Sequence, residues 1–303
     1  MVKLQNVTRA HLGLLLANLV WAVNYPFYKV LMPHYITPVA LATFAVTVAG
    51  LLGLVSLFWG GIEKIDRNDI YKFIGAALLM GIAKKLLLMI GMQHTSPIEA
   101  SIIATLGPIL VLVFSFFFGI DRFTPMKVFG MVLGMGGALL VILSGGGAVT
   151  SGEKLMGNLF VVGAIAASSF SMVWLKELIM RYKPVTLLRW IYPVAAVMML
   201  PIGLGPLLRT DFSAMPAHVA WIVAYVAVVP TFGPNYLLIY SLHYVKPTIS
   251  SIYFYLEPVI ATAISVAMLS WDRALASLAV FAGVLLVVLS YKNRPSTPRH
   301  TGE

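Results

Sequence analysis

The chain has 303 residues, 60% of them hydrophobic and only 11% charged, with a formal charge of +10. A soluble protein of this size carries about twice that charged fraction, so a water-soluble globular domain is excluded and a multi-pass membrane protein is expected. Cysteine is absent, which removes disulfides, thiolate nucleophiles and cysteine metal sites. The basic excess falls in short loops between apolar runs, where it reports membrane orientation rather than nucleic-acid binding.

The N-terminus, MVKLQNVTRAH, leads into a long apolar segment with no small-residue cleavage site, so no cleaved signal peptide is expected. Apolar runs near the length that crosses ~30 Å of hydrocarbon then recur, predicting ten helices at roughly 11–31, 38–59, 71–92, 98–118, 126–144, 155–175, 187–207, 218–241, 248–269 and 275–291. Short connectors with Pro, Gly and Asp leave no room for a soluble domain. With both termini cytoplasmic, the inner side receives Lys3, Arg9, Lys64, Arg67, Lys72, Arg122, Lys127, Lys176, Arg181, Lys183, Lys246, Lys292, Arg294 and Arg299, and the outer side only Lys154, Arg209 and Arg273. This bias predicts a bacterial inner-membrane protein with both termini inside.

Predicted helix 1 places Trp21, Asn24, Tyr25, Tyr28 and Lys29 at spacings of three and four, hence on one face, and Pro26 is expected to interrupt it. Trp21, Asn24 and Tyr25 are its candidate ligand contacts; Tyr28 and Lys29 are equally well read as interface anchors. Predicted helix 3 contains MGIAKKLLLMIGM (80–92), in which Lys84 and Lys85 stand in an otherwise apolar run. A charge at mid-membrane costs ~2.5–3.5 kcal/mol, and such residues commonly face a cavity or a partner. Either the pair binds an anionic group or it is structural, bonded to carbonyls or a carboxylate. In helix 4, Ser96-Pro97-Ile98-Glu99 reads as a capping box, which assigns Glu99 to structure.

Gly134, Gly136 and Gly137 in helix 5 and Ser168, Ser169 and Ser171 in helix 6 read as close-packing residues. In helix 8, VPTFGPNYLLIY (229–240) sets Pro230, Gly233 and Pro234 around Asn235 and Tyr236, the pattern of a discontinuous helix that exposes backbone groups to a ligand. Helix 9 adds Tyr253, Tyr255 and Glu257, the last followed by Pro258. Glu257 is the natural counter-charge to the lysines, either as a proton carrier or as a fixed partner. Pro26, Pro108, Pro234 and Pro258 are candidate breaks or gates. GAVTSGEK (147–154) lacks the lysine of a phosphate loop, and His94 and His243 stand singly, so no metal or other cofactor is expected. No nucleophile–base set is evident, and the chain is not read as an enzyme.

The sequence is also internally duplicated. PIEASIIATLGP (97–108) aligns with PTISSIYFYLEP (247–258), and LLVILS (139–144) with LLVVLS (285–290). A five-helix unit occurring twice inserts its second copy upside down, so residues 1–150 and 151–303 are expected to form two inverted repeats with a ligand site between them at mid-membrane. LVWAVNYPFYKVLM (19–32), HTSPIEASIIATLGPILVLV (94–113), MRYKPVTLLRW (180–190) and SLHYVKPTISSIYFYLEPVIA (241–261) together resemble the drug/metabolite transporter superfamily, EamA type. The resemblance implies a ten-helix alternating-access carrier, commonly an exporter of metabolites or amino acids. One departure is LATFAVTV (41–48), which lacks the arginine that the second half carries at Arg189.

The expected function is therefore secondary transport of a small carboxylate- or phosphate-bearing solute, such as an amino acid, with protons as the candidate coupling ion. The alternative is a broad exporter of amphipathic compounds; an intramembrane enzyme or a channel fits less well. The expected partners are that solute and the bilayer, not nucleic acid, in a monomer or dimer.

Overall fold

A computed structural model describes residues 2–32, 34–59, 63–122, 124, 125, 128, 129, 132 and 152–269. Most of predicted helix 5, all of predicted helix 10, and the 139–144 and 285–290 repeat lie outside the described residues. So do Gly134, Gly136 and Gly137.

Proline sets many of the helix starts. Pro38, Pro97, Pro184 and Pro247 each occupy the first turn, where the missing N–H has no intrahelical acceptor to lose. Thr37 and Ser96 add side-chain caps, accepting from Ala40 N and Glu99 N. The helices are α1 (Val2–Leu31), α2 (Pro38–Val55), α3 (Ile70–Ala76), α4 (Lys84–His94), α5 (Pro97–Ala104) and α6 (Gly107–Phe117) in the first half. The second half has α7 (Gly152–Trp174), α8 (Lys176–Arg181), α9 (Pro184–Leu208), α10 (Ala217–Leu242), α11 (Pro247–Ser251) and α12 (Leu256–Leu269). Among the described residues there is no strand. Seven helical stretches are long and apolar enough to cross a membrane. The α11–α12 segment is broken by a 3₁₀ turn at Ile252–Tyr255.

The two segments matched in the sequence repeat break at equivalent points. α5 gives way to α6 at Thr105–Leu106, just before Pro108, and α11 gives way to α12 through the 3₁₀ turn just before Pro258. They also run in opposite directions through the bundle. The end where α1 begins also holds the end of α6 and the start of α11; the opposite end holds the start of α5. Of the cations on the described residues, Arg9, Lys64, Arg67, Lys72, Arg122, Lys176, Arg181, Lys183 and Lys246 fall at the first of these ends. Lys29, Lys154 and Arg209 fall at the other.

Two sequence expectations are corrected. α1 is continuous through Pro26, and α10 is continuous through Pro230 and Pro234, so neither helix is interrupted. Neighbouring side chains instead take up the carbonyls that the prolines of α10 release, as described below. The real irregularity in the third span is a π-helical turn at Ala77–Ala83, directly ahead of the lysines. Such insertions widen the helix and redirect the residues that follow.

Glycine fixes the crossing of α4 and α7. A Cβ on Gly91 would lie 2.7 Å from Gly157 O, and one on Gly157 would lie 3.0 Å from Gly91 O and 2.7 Å from His94 Cβ. Backbone, not a flexible side-chain tip, blocks both positions. Gly91→Val or Gly157→Val is thus expected to lower the melting temperature in detergent, since overpacking costs about 1–3 kcal/mol and the blocking atoms cannot rotate away. Gly233→Ala, whose Cβ would meet nothing within 4 Å, should leave the melting temperature unchanged or slightly raised.

Polar ties close both ends of the bundle. At the α1-start end, Asp69 pairs with Arg181 at 2.5 Å and accepts from Tyr182 OH at 2.9 Å, while Lys72 pairs with Glu177 at 3.1 Å. Asp121 accepts from Thr248 Oγ1 at 2.6 Å and pairs with Lys246 at 3.6 Å, and Lys176 Nζ meets the carbonyl of Leu242. At the opposite end, Glu99 pairs with Lys154 at 2.6 Å, and Thr95 Oγ1 lies 2.6 Å from Asn158 Oδ1. The predicted capping box is therefore half realised: Ser96 caps Glu99 N, but the Glu99 carboxylate turns to Lys154 of α7. Arg189, buried on α9, donates to Ser56 Oγ and O at the end of α2.

Candidate functional site

Adjacent helix residues point about 100° apart, and the two lysines accordingly serve different neighbours. Lys85 Nζ donates to Thr231 Oγ1 at 2.9 Å and lies 5.9 Å from the centre of the Tyr28 ring. Lys84 Nζ stands over the Trp21 ring at 4.2 Å from its centre. Among the described residues no hydrogen-bond acceptor lies in reach of Lys84 Nζ, and no carboxylate lies within ion-pair distance of either lysine.

The prolines of α10 explain how Trp21 and Thr231 come to be where they are. Pro234 has no N–H to give to the carbonyl of Pro230, and Trp21 Nε1 donates to that carbonyl at 3.2 Å. Pro230 likewise releases the carbonyl of Val226, which accepts from Thr231 Oγ1 at 3.3 Å. The Thr231 hydroxyl thus donates to backbone and accepts from Lys85. The Thr231 carbonyl in turn accepts from Tyr192 OH at 2.8 Å and from Asn235 Nδ2 at 2.8 Å. Helix continuity and the placement of Trp21 and Lys85 share one solution here.

Glu257 opens α12 and is buried at 5% exposure. Its Oε2 accepts from Tyr25 OH at 2.8 Å. Lys84 is near enough to feel its charge, though not to form an ion pair. Asn24, on the same face of α1, spends its amide N–H on Val20 O and leaves a buried Oδ1 with no partner. One carboxylate and one under-bonded ammonium therefore lie near each other where α4 approaches α1 and α12.

A cavity of about 10 Å³ opens beside Lys84, walled by Met80, Ser168, Ser171, Met172, Asn235 and Leu238. That is room for roughly one water molecule. A solute can enter only if the surrounding helices move.

The magnitudes separate the lysines. A hydrogen bond to a charged group is worth about 1.5–3 kcal/mol, which offsets much of the ~2.5–3.5 kcal/mol cost of holding Lys85 in the membrane. A half-buried cation–π contact contributes about 0.5–2 kcal/mol to Lys84 but fills none of its three donors. Lys84 is the group that gains most from an added anion.

The remaining candidates are dispersed. Asn235 lines the cavity. Tyr236 faces a groove on the outside of the bundle between α1 and α10. Tyr253 shares a 2.8 Å hydrogen bond with His11, about 15 Å along α1 from Trp21. Lys29 is exposed and reaches the carbonyls of Gln93 and Thr95 at the end of α4. Ser169 fits its packing assignment, lying 3.4 Å from Gly107 O. Ser168 and Ser171 do more than pack, since both border the cavity. Thr231 and Tyr192 carry no distinctive sequence signal beyond the position of Thr231 between two prolines. Among the described residues no cluster of His, Asp or Glu is placed to hold a metal ion.

Comparison with known proteins places this architecture. The EamA-like transporter family matches the chain twice, over residues 8–143 and 155–289. Relatives include the uncharacterized transporter YdfC of Bacillus subtilis, 25% identical over 81% of this chain and 78% of its own length. Another is YetK of the same organism, 22% identical over 84% of this chain and 79% of its own. An uncharacterized transporter of Archaeoglobus fulgidus is 25% identical over 51% of this chain, which spans only about half (53%) of that relative. A solved crystal structure, 18% identical, superposes with a TM-score of 0.73 over 94% of this chain and 98% of its own, a likeness of fold. With both of its matches covering most of the sequence, the chain belongs to the EamA-like transporter family, and it is a multi-pass membrane transporter with that family's ten-helix inverted-repeat fold.

Proposed function

We propose that the protein is a secondary carrier for a small carboxylate-bearing solute, best matched by an amino acid, and that Lys84 receives the carboxylate. The supporting observation is the half-buried Lys84 ammonium on the wall of the cavity, with an aromatic face beneath it and no acceptor among the described residues. Glu257, buried and near enough to Lys84 to sense its charge, is the candidate proton carrier of the same region. A lipophilic cation fits less well, because two lysines against one glutamate leave the region positive.

Transport by alternating access is supported by the size of the cavity, which admits no solute without helix movement, and by polar ties at both ends that would break in turn. Residues 1–150 and 151–303 act as the two repeats, with the breaks ahead of Pro108 and Pro258 as hinges. No nucleotide-binding module is evident in the sequence, so the driving force is a gradient of protons or of the solute itself. Export is the direction that the family resemblance favours. The charge bias between the ends of the bundle supports an inner-membrane location with the α1-start end cytoplasmic.

Reconstitution into liposomes tests the carrier assignment. Saturable amino-acid flux that accelerates when unlabelled amino acid is loaded on the far side is expected. Non-saturating flux without trans-acceleration would indicate a channel and overturn the proposal.

A further inference from the structure

A second site faces the lipid, away from the central cavity. Between α1 and α10 an open groove of about 340 Å³ runs along the outside of the bundle. Its walls are Leu12, Leu16 and Leu237, with Arg9 and Tyr240 at its mouth. Gly13 forms the floor, where α1 and α10 are tied by Ser241 Oγ lying 2.8 Å from Ala10 O. Leu12 and Leu16 are 60% and 50% exposed, so the groove opens to the bilayer and not to the core.

Arg9 lies about two turns from the helix start and Tyr240 within a turn of the end of α10, which sets both at the same membrane interface. Arg9 is exposed, and among the described residues no carboxylate lies within ion-pair distance of it. An apolar groove in a membrane is filled by acyl chain, because lipid is the solvent there. A cation at the headgroup level above such a groove then selects the charge of that lipid.

We infer that this groove binds one anionic phospholipid, with its phosphate on the Arg9 guanidinium and Tyr240 hydroxyl and an acyl chain between Leu12, Leu16 and Leu237. The site is independent of the solute carried and of the direction of transport.

Native mass spectrometry of the purified full-length protein tests it, using phosphatidylglycerol, phosphatidylcholine with the same chains, and glycerol phosphate. Phosphatidylglycerol is expected to bind about fivefold more tightly than phosphatidylcholine, the worth of one basic residue at an anionic surface. Glycerol phosphate, with no chain to fill the groove, should not bind measurably. Arg9→Gln should bring the two lipids to equal affinity, Arg9→Lys should retain the preference, and Leu16→Trp should weaken both lipids by closing the groove. No preference in the wild type, or a full preference in Arg9→Gln, would overturn the proposal. So would a stable dimer that excludes phosphatidylglycerol, since the groove would then belong to a second copy of the chain.

Discussion

Lys84→Ala is expected to abolish most of the thermal stabilisation that carboxylate solutes give the wild type, without lowering the melting temperature of the ligand-free protein. A ligand at a hundred times its Kd stabilises the folded state by about 2.7 kcal/mol. Removing one partner of a buried charged contact costs about 2–5 kcal/mol of binding, at least a thirtyfold weaker Kd, so the same concentration then sits near the Kd and the shift falls below about 1 kcal/mol. The ligand-free protein behaves oppositely. Its Lys84 ammonium makes no hydrogen bond among the described residues and rests over the Trp21 ring at 4.2 Å within the field of Glu257, and deleting an under-bonded charge from the membrane relieves about as much energy as the lost contacts gave.

Lys85→Ala supplies the contrast. It removes the donor to Thr231 Oγ1, inside the network that repairs α10 around its prolines, and should lower the ligand-free melting temperature. Differential scanning fluorimetry of the three proteins, with and without amino acids, organic anions and lipophilic cations, reads both effects. If Lys84→Ala destabilises the empty protein and leaves ligand responses intact, the lysine is scaffold and the anionic-solute proposal fails.

Much of this architecture is legible in the sequence because a bilayer imposes coarse, additive constraints. Span length, charge asymmetry and X–Pro helix starts locate α2, α9, α10 and α11 to within a few residues, and the 97–108 and 247–258 match locates the paired breaks. Proline is less legible. Pro108 and Pro258 accompany breaks, whereas Pro26, Pro230 and Pro234 sit in continuous helices. What decides the outcome is whether a distant donor, such as Trp21 Nε1, reaches the released carbonyl, and local sequence does not record that. The π-helical turn before Lys84 escapes notice for a related reason. ALLMGIA is an ordinary apolar run, and nothing in it marks the π-helical turn that packs against α7 and α9.

Tyr236 and Tyr253 show the same limit in the candidate site. Helical spacing tells which residues share a face, not what that face meets, so two tyrosines grouped with the lysines in sequence lie on the outer groove and beside His11. The isolation of Glu257 in an apolar run leads sequence reasoning to pair it with the lysines, yet among the described residues neither lysine lies within ion-pair distance of it. Its actual hydrogen-bond partner, Tyr25, was legible only as a neighbour of Trp21 and Asn24.

Glu257→Gln is expected to uncouple transport from the proton gradient while preserving solute exchange. Glutamine has nearly the same shape, and its amide oxygen can still accept from Tyr25 OH, so the contact between α1 and α12 survives. What it loses is the ability to take up and release a proton. Glu257 is the sole carboxylate near the middle of a described span, and it shares its surroundings with Lys84. Solute arriving at Lys84 brings a negative charge toward Glu257, and a protonated Glu257 removes that repulsion. Proton and solute would then occupy the carrier together or leave it together, which is the condition for coupling. In liposomes bearing an imposed pH gradient, uphill accumulation should disappear in Glu257→Gln, while counterflow between equal pH values continues near the wild-type rate. Gradient-driven accumulation that persists in the variant would remove Glu257 from the coupling step. Loss of counterflow together with a lowered melting temperature would identify it instead as a fixed brace between α1 and α12.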